Sequence, residues 1–179
     1  MKRLKELKRK SKSKKGSSVL EFAFGLLTFV LLAAFVVDII VVTNKQYTVS
    51  QTANQIVRQM SVQGGVKPSA PIGYPGGNQA YMDSREMLAY VQSELNGANI
   101  KNDEWTMRIE GFDPNGYPVA RNNLSNGTNF EVDYRNLFEF EISYDYKWTI
   151  IGQIIPPMGS TRSTLQKRSA VSEFKYANQ

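Results

Sequence analysis

Cysteine and histidine are both absent from the 179 residues. Without cysteine there is no disulfide framework and no thiolate metal site. Without histidine the commonest general base and the commonest metal ligand are missing, and no Ser-His-Asp triad can be built. Acid–base chemistry through Asp or Glu, or through a Ser/Lys pair, stays open in principle, but no constellation in the chain nominates a pair. The chain is therefore expected not to be an enzyme, with no catalytic, cofactor-binding or metal-binding residues. The body also lacks an excess of positive charge. The formal net charge is +6, yet residues 1–15 alone hold nine Lys/Arg and one acid, Glu6. That leaves 13 basic and 15 acidic residues for the rest of the chain. A nucleic-acid-binding domain carries its basic patch on the folded body. This body is slightly acidic, so no nucleic-acid partner is expected.

Charge is missing altogether from residues 22–37. With Glu21 and Asp38 as boundary charges, the apolar stretch runs from Val19 to Val42. As a helix it would be about 36 Å long, against a hydrocarbon core of about 30 Å. It can span a bilayer, and Gly25 and Thr28 are tolerable inside such a helix. The basic block on its N-terminal side outweighs the other flank, where Lys45 is the nearest cation. The positive-inside rule then puts the N-terminus in the cytoplasm and the C-terminal body outside.

A cleaved secretory signal does not explain this stretch well. Such signals have an apolar region of about 7–15 residues followed by a small-x-small site. Here the run is longer, and Ala33-Ala34 lies inside it between Leu32 and Phe35. A plain signal anchor fits the length and the charge but leaves two features without a reason. One is Gly16, directly after the basic block. The other is Glu21, a carboxylate at the head of an apolar run, where a charge costs at least ~2.5 kcal/mol near the bilayer centre.

Lys14-Lys15-Gly16 followed by Ser17-Ser18-Val19-Leu20-Glu21-Phe22 resembles a class III (type IV prepilin) signal. The resemblance implies cleavage after Gly16 by a prepilin peptidase on the cytoplasmic side. Ser17 then becomes the first residue of the mature chain and Glu21 the fifth. It also implies a role for Glu21: neutralising the new α-amino group of a neighbouring subunit in a packed filament of helices. A carboxylate beside an ammonium group is far cheaper to bury than one alone, and the pair would fix the register between subunits. The competing reading is that Glu21 lies at the membrane interface and snorkels. Gly16, Ser17, Ser18, Glu21, Phe22 and Asp38 together resemble the minor pilins of tight-adherence (Tad) pili, the TadE/TadF-like family. The match covers about the first third of the chain. It departs from the family in its long, very basic leader and in having no proline in the apolar helix. What it implies is a structural subunit whose partners are a prepilin peptidase, other pilin subunits and the membrane, with the pilus assembly platform and its ATPase engaged indirectly. The implied location is the bacterial cytoplasmic membrane as a single-pass protein, or the pilus itself. Two other readings stand beside this one. The first is an uncleaved signal-anchored protein whose extracytoplasmic body binds a ligand. The second is a pseudopilin of a type II secretion or competence system. Asp38 is expected to mark the outer membrane interface or to make a polar contact with a neighbouring helix.

Beyond the apolar run, Val49, Ala53, Ile56, Val57 and Met60 fall on one face of a helix, and Gly64-Gly65 ends it. A helix from about Ser18 to Val62 would be about 67 Å long. The rest reads as α+β. Residues 64–80 are rich in Gly, Pro, Ser and Asn and are expected to be loop. Asp83-Ser84-Arg85-Glu86 is a capping-box pattern ahead of Met87, Leu88, Val91 and Leu95 at helical spacing. Period-two alternation begins at Trp105, Met107 and Ile109, and Asp113-Pro114-Asn115-Gly116 is a turn. The alternation is clearest from Phe138 through Phe140, Ile142, Tyr144, Tyr146 and Trp148 to Ile150, the pattern of an antiparallel strand buried on one face. Tyr144, Tyr146 and Trp148 could form a stacking platform, but their shared parity points to the core. A last strand, possible as an edge, is read between Ser160 and Phe174. The domain reading is a leader at 1–16, a transmembrane helix at 17–43, its amphipathic continuation at 44–63 and an extracytoplasmic α+β head at 64–179. The fold expected is pilin-like: a long N-terminal transmembrane helix on a small antiparallel sheet, with one short extra helix.

Overall fold

A computed structural model describes the backbone of residues 2–175 and the side chains of residues 18–175. The architecture is α+β. One helix, α1 (Lys2–Gln63), occupies the first third of the chain. Its sequence contains no proline, so no position lacks the N–H that the helical ladder needs. It ends where Gly64 and Gly65 take positive φ values of 74° and 129°. A Cβ on Gly65 would also collide with the carbonyl oxygen of Phe130, so the helix stop is specific to glycine there. Among the described residues, α1 is the one helix long and apolar enough to cross a membrane.

The chain divides into two compact units, Met1–Val41 with Trp148–Ser160, and Val42–Lys147 with Thr161–Gln179. The larger unit is built on the second half of α1. Val49, Ala53, Ile56, Val57 and Met60 are all buried in its core, as their spacing predicts. Against them pack β2 (Trp105–Phe112) and β5 (Leu137–Tyr146), each with alternate residues turned inward. With β3 (Pro118–Asn123) and β6 (Arg162–Val171) they form an antiparallel sheet of order β3-β2-β5-β6. Met107 and Ile109 of β2 and Phe138, Phe140, Ile142 and Tyr144 of β5 supply its buried face. The opposite face carries cross-strand charge pairs: Lys167 lies 2.5 Å from Glu139, Arg108 lies 3.8 Å from Glu141, and Arg121 lies 3.6 Å from Glu110. In this register a one-residue slip would turn the core face outward.

The helix α2 (Ser84–Gly97) begins as its capping box requires. Asp83 accepts from the amides of Arg85 and Glu86, both at 2.8 Å, and Glu86 reaches back to the Asp83 amide. It buries Met87, Val91 and Leu95, while Leu88 is only partly covered. The β2–β3 turn closes on Asp113, whose carboxylate accepts from the amides of Asn115 and Tyr117. The edge strand β6 is tied to α1 by side chains. Arg168 donates to Asn54 and Ser50 at 2.7 and 2.6 Å, and Ser61 donates to the Val171 carbonyl at 2.6 Å.

Two expectations need correction. The Gly/Pro-rich segment after α1 is not all loop. It holds β1 (Gly65–Val66), paired antiparallel with β4 (Phe130–Glu131), and a short 3-10 turn at Gly77–Gln79. Two-residue strands leave no periodic trace for a sequence reading to find. The long alternating strand also stops at Tyr146, not at Ile150. Trp148 and Ile150 belong to the smaller unit, where other partners claim them.

Candidate functional site

The segment singled out by the sequence is the apolar half of α1. Its side chains from Val19 to Val41 are mostly exposed, including Phe22 at 73 %, Phe24 at 68 % and Phe29 at 70 %. Leaving so many large apolar side chains in water is costly, since each fully buried one is worth about 1.5–3 kcal/mol. Apolar surface of this extent marks a membrane or protein contact. Glu21 is exposed at the head of this run, one residue before Phe22. The predicted cleavage residues Gly16 and Ser17 lie outside the residues whose side chains are described.

Asp38 has a different environment. It is 2 % exposed although it sits on a helix whose neighbours face outward. Ala34, one turn earlier, is buried with it. Its cover is the segment between β5 and β6. The carboxylate accepts four hydrogen bonds from three consecutive amides there. Thr149 donates to Oδ1 at 3.2 Å, Ile150 to Oδ1 at 3.1 Å and Oδ2 at 3.0 Å, and Ile151 to Oδ2 at 2.7 Å. These amides lead into a single turn of helix, α3 (Ile151–Ile154). Beside them the Trp148 ring stacks on Phe35, with centroids 5.7 Å apart and planes 18° from parallel. A carboxylate buried without partners would be expensive. Converging backbone N–H groups make a small anion cradle, and hydrogen bonds to a charged acceptor are the strong kind.

The segment owes its tight shape to two glycines. A Cβ on Gly152 would lie 2.5 Å from the Gly159 Cα, and one on Gly159 would lie 3.0 Å from the Gly152 carbonyl oxygen. Backbone therefore packs directly on backbone across the turn. Pro156 and Pro157 open a further 3-10 turn, Pro156–Gly159.

From sequence, Asp38 is expected to mark the outer membrane interface or to make a polar contact with a neighbouring helix. The structure gives it partners in its own chain, on a segment whose first residues the sequence assigns to the end of the alternating strand. One signal could have exposed it: residues 148–161 hold no charge, while Lys147 and Arg162 flank them.

Among the described residues the larger unit carries at least two concavities. One, of about 220 Å³, is lined by residues that include Tyr81, Asp83 and Glu86, but both carboxylates are engaged in the α2 cap. A second, of about 490 Å³, is an open groove between α1 and α2 that includes Arg58, Gln59 and Tyr90. Burial pushes the Tyr81 and Tyr144 phenols up to about 12, which leaves them protonated at neutral pH and unsuited to act as bases. Lys67, which pairs with Glu131, is held below the usual lysine range by partial burial. Among the described residues no group of three or more His, Cys, Asp or Glu converges as a metal site would require. Comparison with family models, with curated proteins and with solved structures returns no match to this chain.

Proposed function

We propose that the chain is a membrane-anchored minor pilin or pseudopilin acting structurally in Tad-type pilus assembly. It is made as a precursor, cut after Gly16 by a prepilin peptidase, and held in the cytoplasmic membrane by α1 with its C-terminal body outside. The observation that carries the reading is the order of features along one unbroken helix. A basic block is followed by Gly16, then four residues, then Glu21, then sixteen residues without charge. The exposed apolar side chains from Val19 onward support it, because a subunit that packs with other helices in a bilayer or filament needs such a surface. The work of Glu21 is electrostatic: paired with the α-amino group of a neighbouring subunit's Ser17, it holds the subunits in register.

The test separates processing from assembly. In cells carrying the pilus machinery, the wild-type chain is expected in sheared filaments. Glu21→Ala should be processed normally yet be lost from the sheared fraction. Processed Glu21→Ala protein in sheared filaments at the wild-type level would overturn the assembly role.

A further inference from the structure

We infer that the segment Trp148–Ser160 is a second membrane contact, a foot that lies in the headgroup and upper acyl region of the outer leaflet. The inference rests on the reading that α1 spans a bilayer. The foot has no charged residue, and most of its exposed side chains are apolar: Ile150, Ile154, Ile155, Pro156, Pro157 and Met158, against the uncharged polar Thr149, Gln153 and Ser160. A monomeric soluble protein seldom presents such a cluster to water without a use for it. Its position along α1 identifies the occupant as lipid. Glu21 and Asp38 are 17 residues apart in sequence, so they are about 26 Å apart along the helix axis, a little less than the thickness of a hydrocarbon core of about 30 Å. With Glu21 at the inner boundary, Asp38 reaches the outer one, and the foot is bonded to Asp38 at that level. Trp148, stacked on Phe35, then sits where tryptophan is enriched in membrane proteins.

Asp38 has a defined part in this arrangement. A bare carboxylate at the outer end of a span would draw water to the helix. Three amides of the foot replace that water, so the helix and the foot can enter the interface as one apolar surface.

The test uses the full chain reconstituted in phosphatidylcholine vesicles. The protein has two tryptophans, so Trp105→Phe leaves Trp148 as the sole reporter. Its emission should be quenched by lipids brominated near the glycerol end of the acyl chain, and less by lipids brominated near the chain terminus. That quenching should persist when the protein is diluted in lipid. The absence of cysteine allows an independent check: Ile154→Cys accepts a single spin label, which should be more accessible to oxygen than to a water-soluble nickel complex. A chain that floats with the vesicles but leaves Trp148 unquenched and the label in water would overturn the foot while leaving the span intact. A chain that fails to float would remove the span and the foot together. Quenching that appears only on dilution would assign the patch to a second copy of the chain and overturn the lipid assignment.

Discussion

Glu21 and Asp38 are carboxylates on the same apolar helix, yet only Asp38 is buried by its own chain. Three N–H donors, those of Thr149, Ile150 and Ile151, compensate its burial, with the Ile150 N–H shared between both oxygens; a hydrogen bond to a charged group is worth about 1.5–3 kcal/mol. Asp38→Ala should therefore loosen the 148–160 segment. In hydrogen–deuterium exchange the amides of Thr149, Ile150 and Ile151 are expected to lose protection, while those of Met107 and Ile142 in the sheet stay as they were. Unchanged protection at 149–151 would show that the carboxylate does not hold the segment. The sequence marked Asp38 as a residue with work to do, because a charge there needs a reason. It could not name the partners. They are backbone amides 111 to 113 positions away, and an amide leaves no signature in residue type.

Elements were legible where a local rule forms them. The α2 start is an example: Asp83 and Glu86 satisfy each other's neighbouring amides within four residues. Asp83→Ala should cost about 1 kcal/mol of stability, read as a shift of the denaturant midpoint without a change in slope; no shift would mean that the cap is redundant. Likewise the inward alternation from Phe138 to Tyr144 follows directly from residue type. The end of that strand was not legible. By type, Trp148 and Ile150 continue the alternation, but partners outside the sheet take them, the ring of Phe35 for one and the carboxylate of Asp38 for the other. A local pattern cannot show a competing partner on a distant helix. Gly152 is a sharper probe of the same element. Its Cα hydrogen faces the Gly159 backbone, so Gly152→Ala must push the turn apart, and the tryptophan emission of the Trp105→Phe protein should shift red as Trp148 leaves Phe35.

For the whole molecule, the balance of charge divides the chain as the readings require: a strongly basic N-terminus, an uncharged helical stretch and a slightly acidic body. The body should lose stability in alkali. Buried Tyr81 and Tyr144 hold their protons up to about 12 in the folded state, while the unfolded chain gives them up near the ordinary tyrosine value of about 10. Between those values the folded state binds more protons, so stability falls as pH rises. The hydrogen bond from Lys167 to Glu139 raises the lysine, and its contribution, present below the ordinary lysine value, is lost in the same direction at higher pH. Denaturation of Tyr144→Phe should show a shallower alkaline decline than wild type. It should cost little at neutral pH, because the Tyr144 hydroxyl is buried without a hydrogen-bond partner among the described residues. An alkaline decline as steep as wild type would contradict this. The central claim, that the chain is a pilin precursor, turns on a single peptide bond. Intact-mass spectrometry of the protein from membranes, with and without prepilin peptidase, measures it directly. The account predicts a mature chain beginning at Ser17 only when the peptidase is present. A chain that keeps Gly16 and the basic block in its presence would contradict the account, leaving a signal-anchored protein whose body needs a function of its own.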